Sequence, residues 1–141
     1  MKMTYAEITV RHGILIQIGK LTLPRKVSVA IARNLVRLEK EIKLANDQRT
    51  DIAARYAAKD EAGEFILDET KEKYTFTSPY DEKAFMDEVK ELNESEVEVD
   101  IMKFGAVELE KCEQIEKYDF LTPLQEASLE WMIDYRDGET E

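Results

Sequence analysis

The chain has 141 residues, 43% of them hydrophobic and 36% charged, with a formal net charge of −11. That length suits one domain, residues 1–141, with a modest core, and no apolar run approaches the roughly 18 residues needed to cross a bilayer. Cys112 is the only cysteine, which excludes an internal disulfide and a thiolate metal cluster; with no charged-then-apolar leader, a cytoplasmic protein is expected.

In chain order, residues 4–20 admit two readings. Thr4 can cap a helix with Glu7 completing a capping box, which places Tyr5, Ile8, Leu15 and Ile18 near one face. Alternatively, Ile8 and Val10, then Ile14, Ile16 and Ile18, alternate as in a β-hairpin turning at His12–Gly13. The cap, and the need to cover the segment that follows, favour the helix.

Leu23–Pro24 breaks the chain, because a residue before proline leaves the helical region while proline suits a first helical turn. A long helix is expected over 24–59, about 36 residues and about 54 Å. Ile31, Leu38, Ala45 and Ile52 hold one heptad position, and Leu35, Ile42, Arg49 and Tyr56 another, so an apolar stripe runs along it. A helical hairpin with residues 4–20 would bury the first half, from Val27 to Ile42. Past Ala45 the stripe thins, and Arg49, Ile52 and Tyr56 mark the stretch expected to receive a partner or a dimer contact. The sequence Asp60–Glu61–Ala62–Gly63 supplies an exit, with Gly63 free to adopt the left-handed cap conformation.

Residues 64–67 and 73–77 alternate as two short strands. Ser78 and Pro79 then open a helix over about 80–93, with Phe85, Val89 and Leu92 at spacings of four and three. Residues 95–102 carry Val97, Val99 and Ile101 against Glu96, Glu98 and Asp100, one apolar face and one row of carboxylates. The economical arrangement is a small antiparallel sheet of 64–67, 73–77 and 95–102. Residues 106–112 form a short helix or a loop. Thr122–Pro123–Leu124–Gln125 opens a final helix over about 123–134, and 135–141 reads as a frayed tail. The fold class is α+β.

Charge is divided along the chain. Residues 1–59 hold 12 Lys/Arg against 5 Asp/Glu, and residues 60–141 hold 8 against 26, so a basic part of +7 precedes an acidic part of −18. Mutual attraction of the two parts is the simplest consequence; a basic face for nucleic acid and an acidic face that imitates it are the alternatives. Arg33, Arg37 and Lys40 line one helical face, but no aromatic residue interleaves with them and Glu39 and Glu41 lie close by, so nucleic-acid binding is not expected.

Candidate chemistry is sparse. His12 is the only histidine and lies in an apolar segment. Cys112 sits between Lys111 and Glu113, whose charges oppose each other in forming a thiolate. Glu96, Glu98 and Asp100 would stand about 6.8 Å apart along a strand, without the Asp-rich loop of a calcium site. No glycine-rich phosphate loop is present. No catalytic residue, metal or cofactor is expected; Glu96, Glu98 and Asp100 join Arg49, Ile52 and Tyr56 as the candidate partner-binding positions.

The order of several features resembles a family of small acidic proteins of unknown function encoded by tailed phages and prophages of Gram-positive bacteria. The matching pieces are Thr4–Tyr5, Leu23–Pro24, the run from Ala32 to Glu41, Asp60–Glu61–Ala62–Gly63, Glu96–Val97–Glu98–Val99 and Thr122–Pro123–Leu124. The resemblance implies a helix over 4–20 and a phage origin, and it implies no mechanism; the acidic segment from Glu108 to Tyr118 departs from the family's pattern. The expected role is a non-catalytic accessory protein acting through another protein or through self-association, with an anti-defence inhibitor bearing a DNA-like acidic face as the alternative.

Overall fold

A computed structural model describes residues 1–138. It begins with a short strand β1 (Lys2–Thr4) that runs directly into helix α1 (Tyr5–Ile18). Thr4 caps α1 by accepting a hydrogen bond from the Glu7 N–H at 3.1 Å, so the local capping chemistry decides in favour of the helix over the hairpin. After a short loop the long helix α2 (Arg25–Tyr56) follows, with Pro24 at its N-cap. Its 32 residues span about 48 Å.

Helix α2 is the axis of the molecule, and two shorter helices cover it in succession. Helix α1 packs antiparallel along the first part, and helix α3 (Pro79–Glu94) packs along the second. At the junction, the Tyr5 N–H donates to the Ser95 carbonyl at 3.3 Å. Burial on α2 centres on Val27, Ala30, Ile31, Asn34, Leu38, Ala45, Ile52 and Ala53. The heptad set Ile31, Leu38, Ala45 and Ile52 is therefore the buried seam, whereas Leu35, Ile42, Arg49 and Tyr56 are half-buried along its flank. Arg49 therefore interrupts a flank rather than the seam.

The helix ends at Tyr56, earlier than the expected exit. Ala57 is extended, the Ala58 N–H donates to the Thr75 carbonyl, and the Lys59 ammonium donates to the Ala54 carbonyl at 2.7 Å. Gly63 does adopt φ of +83°, but it closes the turn begun at Asp60, whose carboxylate accepts from the Ala62 and Glu64 N–H groups.

The strand pairing departs from expectation. Residues 64–67 and 73–77 form no ladder with 95–102. They make isolated antiparallel bridges, Lys59 with Phe65 and Leu67 with Tyr74, in a meander beyond the end of α2. The strand in 95–102 is confined to β2 (Glu96–Glu98), and its partner is β1, antiparallel with Met3 opposite Val97. Geometry explains the difference. Strand β2 lies at the junction of α1 and α3, where Glu41 of α2 acts electrostatically on Tyr5. The meander follows Tyr56, about 22 Å further along the helix axis at 1.5 Å per residue. It packs instead on α3, where Tyr74 and Phe76 meet Phe85, while residues 2–4 enter α1 right beside the Val97 edge.

The remaining chain is a cap of small pieces over the α1–α2 loop and the first turns of α2. Strand β3 (Phe104–Gly105) leads to helix α4 (Val107–Gln114), then helix α5 (Pro123–Ser128) and a 3-10 turn, Glu130–Met132. Strand β4 (Ile133–Asp134) lies parallel to β3, with Phe104 opposite Ile133. The final helix is thus shorter than the expected 123–134. Thr122 and Gln125 do form the reciprocal capping box, but after Ser128 the chain tightens to bury Leu129 and Met132 and to deliver Ile133 to β3. Of the expected tail 135–141, Tyr135–Gly138 form a 3-10 turn and 139–141 lie outside the described residues.

One hydrophobic cluster joins these pieces, from Met3, Ile8 and Leu15 through Val27 and Leu38 to Phe104, Leu129 and Met132. Asn34, fully buried on α2, holds the cap in place. Its Nδ2 donates to the Met102 carbonyl at 2.9 Å and its Oδ1 accepts from the Met102 N–H at 2.8 Å. No helix among the described residues is long and apolar enough to cross a membrane.

Candidate docking face

Helix α1 has apolar residues on both sides. Tyr5, Ile8, Leu15 and Ile18 are buried against α2, yet Val10 is 61% exposed and Ile16 is exposed on the other side. An amphipathic helix at a protein surface ordinarily turns charged residues outward. The outer face of α1 instead continues into a groove of about 420 Å³ walled by Val10, Gly13 and Ile14 on one side and by Leu124, Gln125 and Ser128 of α5 on the other. Leu124 is 81% exposed. Gly13 adds depth, since nothing lies within 4 Å of the position a Cβ would take.

Local structure fixes both walls. The Asp119 carboxylate accepts from the Thr22 N–H at 2.6 Å and the Asp119 N–H donates to the Thr22 carbonyl, which ties the lead into α5 to the α1–α2 loop. Phe120, next in sequence, is 72% exposed, and the Thr122 capping box then starts α5. Midway along α1, the Arg11 guanidinium lies 5.0 Å from the Trp131 ring and 3.6 Å from the Glu7 carboxylate. The surface so formed is mainly apolar, with the polar side chains of Thr9, Gln17, Gln125 and Ser128 along its edges.

The residues singled out in the sequence are placed elsewhere. Ile52 is 7% exposed beneath α3. Arg49 donates to Asn46 at 2.6 Å and to Asn93 at 2.8 Å, and the Tyr56 hydroxyl donates to Glu88 at 3.3 Å. The Glu88 carboxylate also forms an ion pair with the Arg55 guanidinium at 2.8 Å. The stretch that the sequence leaves uncovered is therefore covered by α3 of the same chain. Phe85, Val89 and Leu92 supply the apolar part of that contact.

Glu96, Glu98 and Asp100 are exposed but do not form one continuous row. The strand ends at Glu98, which stands opposite Lys2 and accepts from the Met1 amine at 2.7 Å. Hydrogen bonding to that amine, then its charge and that of Lys2, hold the Glu98 carboxyl below the usual range. The Asp100 carboxylate lies 3.9 Å from Arg37, which also donates to the Asp100 carbonyl.

His12 lies between α1 and α2, with Nε2 at 3.2 Å from Glu39. Cys112 is buried, and burial followed by the charge of Glu126 pushes its thiol pKa up, away from the reactive thiolate. No group of His, Cys, Asp and Glu among the described residues has the arrangement of a metal site.

The outer face of α1 escapes a sequence reading that follows one stripe per helix. A partial signal is present: after Ile8, Leu15 and Ile18 are assigned inward, Val10 and Ile14 remain along a second stripe of α1, which they share with Glu7 and Gln17. Comparison with known proteins adds no relative: no family model matches the chain, no curated protein matches it, and no solved structure matches it.

Proposed function

We propose that this chain is a non-catalytic accessory protein of phage or prophage origin that works in the host cytoplasm by binding another protein through the α1–α5 face. The observation that carries the reading is a helix that is apolar on both sides, with Val10 and Leu124 left open to solvent across one groove. Exposed apolar surface of this kind is used in protein recognition. The non-catalytic part is supported by Cys112, which is buried with a raised pKa. The phage origin rests on the order of sequence features alone.

An anti-defence inhibitor with an acidic DNA-like face is the lesser reading. Lys2, the Met1 amine and Arg37 stand against two of the three carboxylates that would form its centre.

A photo-crosslinking residue at Val10 or Leu124, compared with one at the exposed Glu61, tests the docking face in cells. Discrete adducts at Val10 and Leu124, absent at Glu61 and lost with a second substitution Ile14→Asp, are the expected result. Adducts containing only this chain would identify the partner as a second copy. Equal adducts at all three sites, or none at Val10 and Leu124, would overturn the reading.

A further inference from the structure

A second hollow, of about 500 Å³, lies between the first turns of α2 and the 102–105 segment. Its floor is Val29, Met102 and Phe104, and its rim carries Arg25, Lys26 and Lys103. Three cations around one apolar floor stand out on a chain with a net charge of −11.

These cations are poorly neutralised by the protein itself. Arg25 and Lys103 make no ion pair among the described residues. Lys26 lies 3.8 Å from Glu108, but the other oxygen of that buried carboxylate is taken by Lys111 at 2.8 Å. Asp134, the carboxylate on which the charge of Lys103 acts, is bound by Arg136 at 3.1 Å. The first turn of α2 contains no acidic residue, so nothing there offsets the added positive charge. Like charges gathered around a small opening repel one another, and an anion in the hollow would relieve that repulsion.

The walls are already formed. Asn34 grips Met102 through both its carbonyl and its N–H. The pairing of β3 with β4 fixes Phe104, which is 4% exposed. A hollow of this size falls within the range of small-molecule sites, in which a largely apolar lining carries a few placed polar groups. Cations at the rim would take a phosphate, and the floor of Val29, Met102 and Phe104 would take an apolar or aromatic body.

We propose that the cleft between Arg25, Lys26 and Lys103 binds a small organic phosphate of about mononucleotide size. The proposal is independent of the α1–α5 docking face, which lies on other residues.

Titration of the full chain with AMP, adenosine and inorganic phosphate, followed by amide shifts in NMR at low salt, tests it. AMP is expected to saturate at sub-millimolar concentration with shifts concentrated at residues 102–105, and adenosine and phosphate to bind at least about tenfold more weakly. Arg25→Glu and Lys103→Glu should each weaken AMP by about tenfold or more. Both side chains are exposed, and Lys103→Gln gives a milder variant with the same direction. Lys40→Glu, further along α2 and outside the cleft, should leave AMP binding unchanged. Four results would overturn the proposal: no saturation by AMP, phosphate alone binding as tightly as AMP, unchanged affinity in the Arg25 and Lys103 variants, or an equal loss in the Lys40 variant.

Discussion

The two halves of α2 are covered by helices of similar length but by different chemistry. Over the first half, α1 sets Ile8, Leu15 and Ile18 against Val27, Ile31 and Leu38, and all six are at most 3% exposed. Over the second half, α3 contributes one buried side chain, Leu92, with Phe85 and Val89 half-buried. The rest of that contact is polar: Arg49 with Asn93, Tyr56 and Arg55 with Glu88. The first contact gains from dispersion and the removal of apolar surface from water. The second adds hydrogen bonds and ion pairs near solvent, which contribute little net free energy. A helix can thus be continuous in backbone and unequal in stability along its length.

Large-to-small substitutions at the seam sharpen that contrast. Leu38→Ala, at a fully buried position under α1, should cost about 3–5 kcal/mol in denaturant unfolding. Ile52→Ala, under α3, should cost about 2 kcal/mol because its surroundings are looser and reach solvent. Equal losses at the two positions would erase the distinction drawn between the halves. Asn34→Ala comes next, at about 2 kcal/mol, since it leaves the Met102 N–H and carbonyl without their partner. Its effect should be local in one respect: amide exchange should quicken across residues 101–105 while α3 keeps its protection.

Capping provides a smaller and more discriminating comparison. Thr4 caps α1 and Ser78 caps α3 with the same bond, a side-chain oxygen accepting the third residue's N–H at 3.1 and 3.2 Å. Replacing either by alanine removes about 1 kcal/mol of helix stability. In the α3 half that loss should appear as faster amide exchange confined to α3, because its contact with α2 can open separately. In the α1 half it should appear as a lower global unfolding midpoint. Global loss from Ser78→Ala would mean that α3 is as firmly docked as α1.

The same division accounts for what the sequence does and does not reveal. The caps at Thr4, Ser78 and Thr122 are legible because each is a bond between residues three apart. The seam Ile31–Leu38–Ala45–Ile52 is legible from its seven-residue repeat. Its covering is only half legible. Phe85, Val89 and Leu92 announce an apolar face, but their spacing does not name α2 as the surface they meet, and so Arg49, Ile52 and Tyr56 read as free. Pairing across long sequence distance is least legible: nothing local in Lys2–Met3–Thr4 points to Glu96–Val97–Glu98. Asn34 is similar, since its burial is set by Met102, 68 residues away. The docking face is missed for a different reason, because apolar residues on both sides of α1 blur its inward stripe.

The smallest expected effect concerns the meander that extends past the α3 half. Its turn at residues 68–73 is organised by Asp68, whose carboxylate accepts from the Thr70 hydroxyl at 2.7 Å and from the Glu72 and Lys73 N–H groups at 3.2 and 3.4 Å. The Thr70 bond, with help from those backbone groups, holds the Asp68 carboxyl below its ordinary 3.8. A carboxyl with a depressed folded pKa contributes its stability above the unfolded value and loses it as pH falls through the folded one. The bridge between Leu67 and Tyr74 should therefore loosen in acid, below about pH 4. Asp68→Asn should remove that acid dependence. Amide exchange at Ile66 and Thr75, followed from pH 6 down to pH 3, provides the measurement once corrected for intrinsic exchange rates. Protection that declines equally in both proteins would show that Asp68 does not organise the turn. A decline that spreads into α3 only in the unsubstituted protein would show that the meander and the looser half of α2 open together.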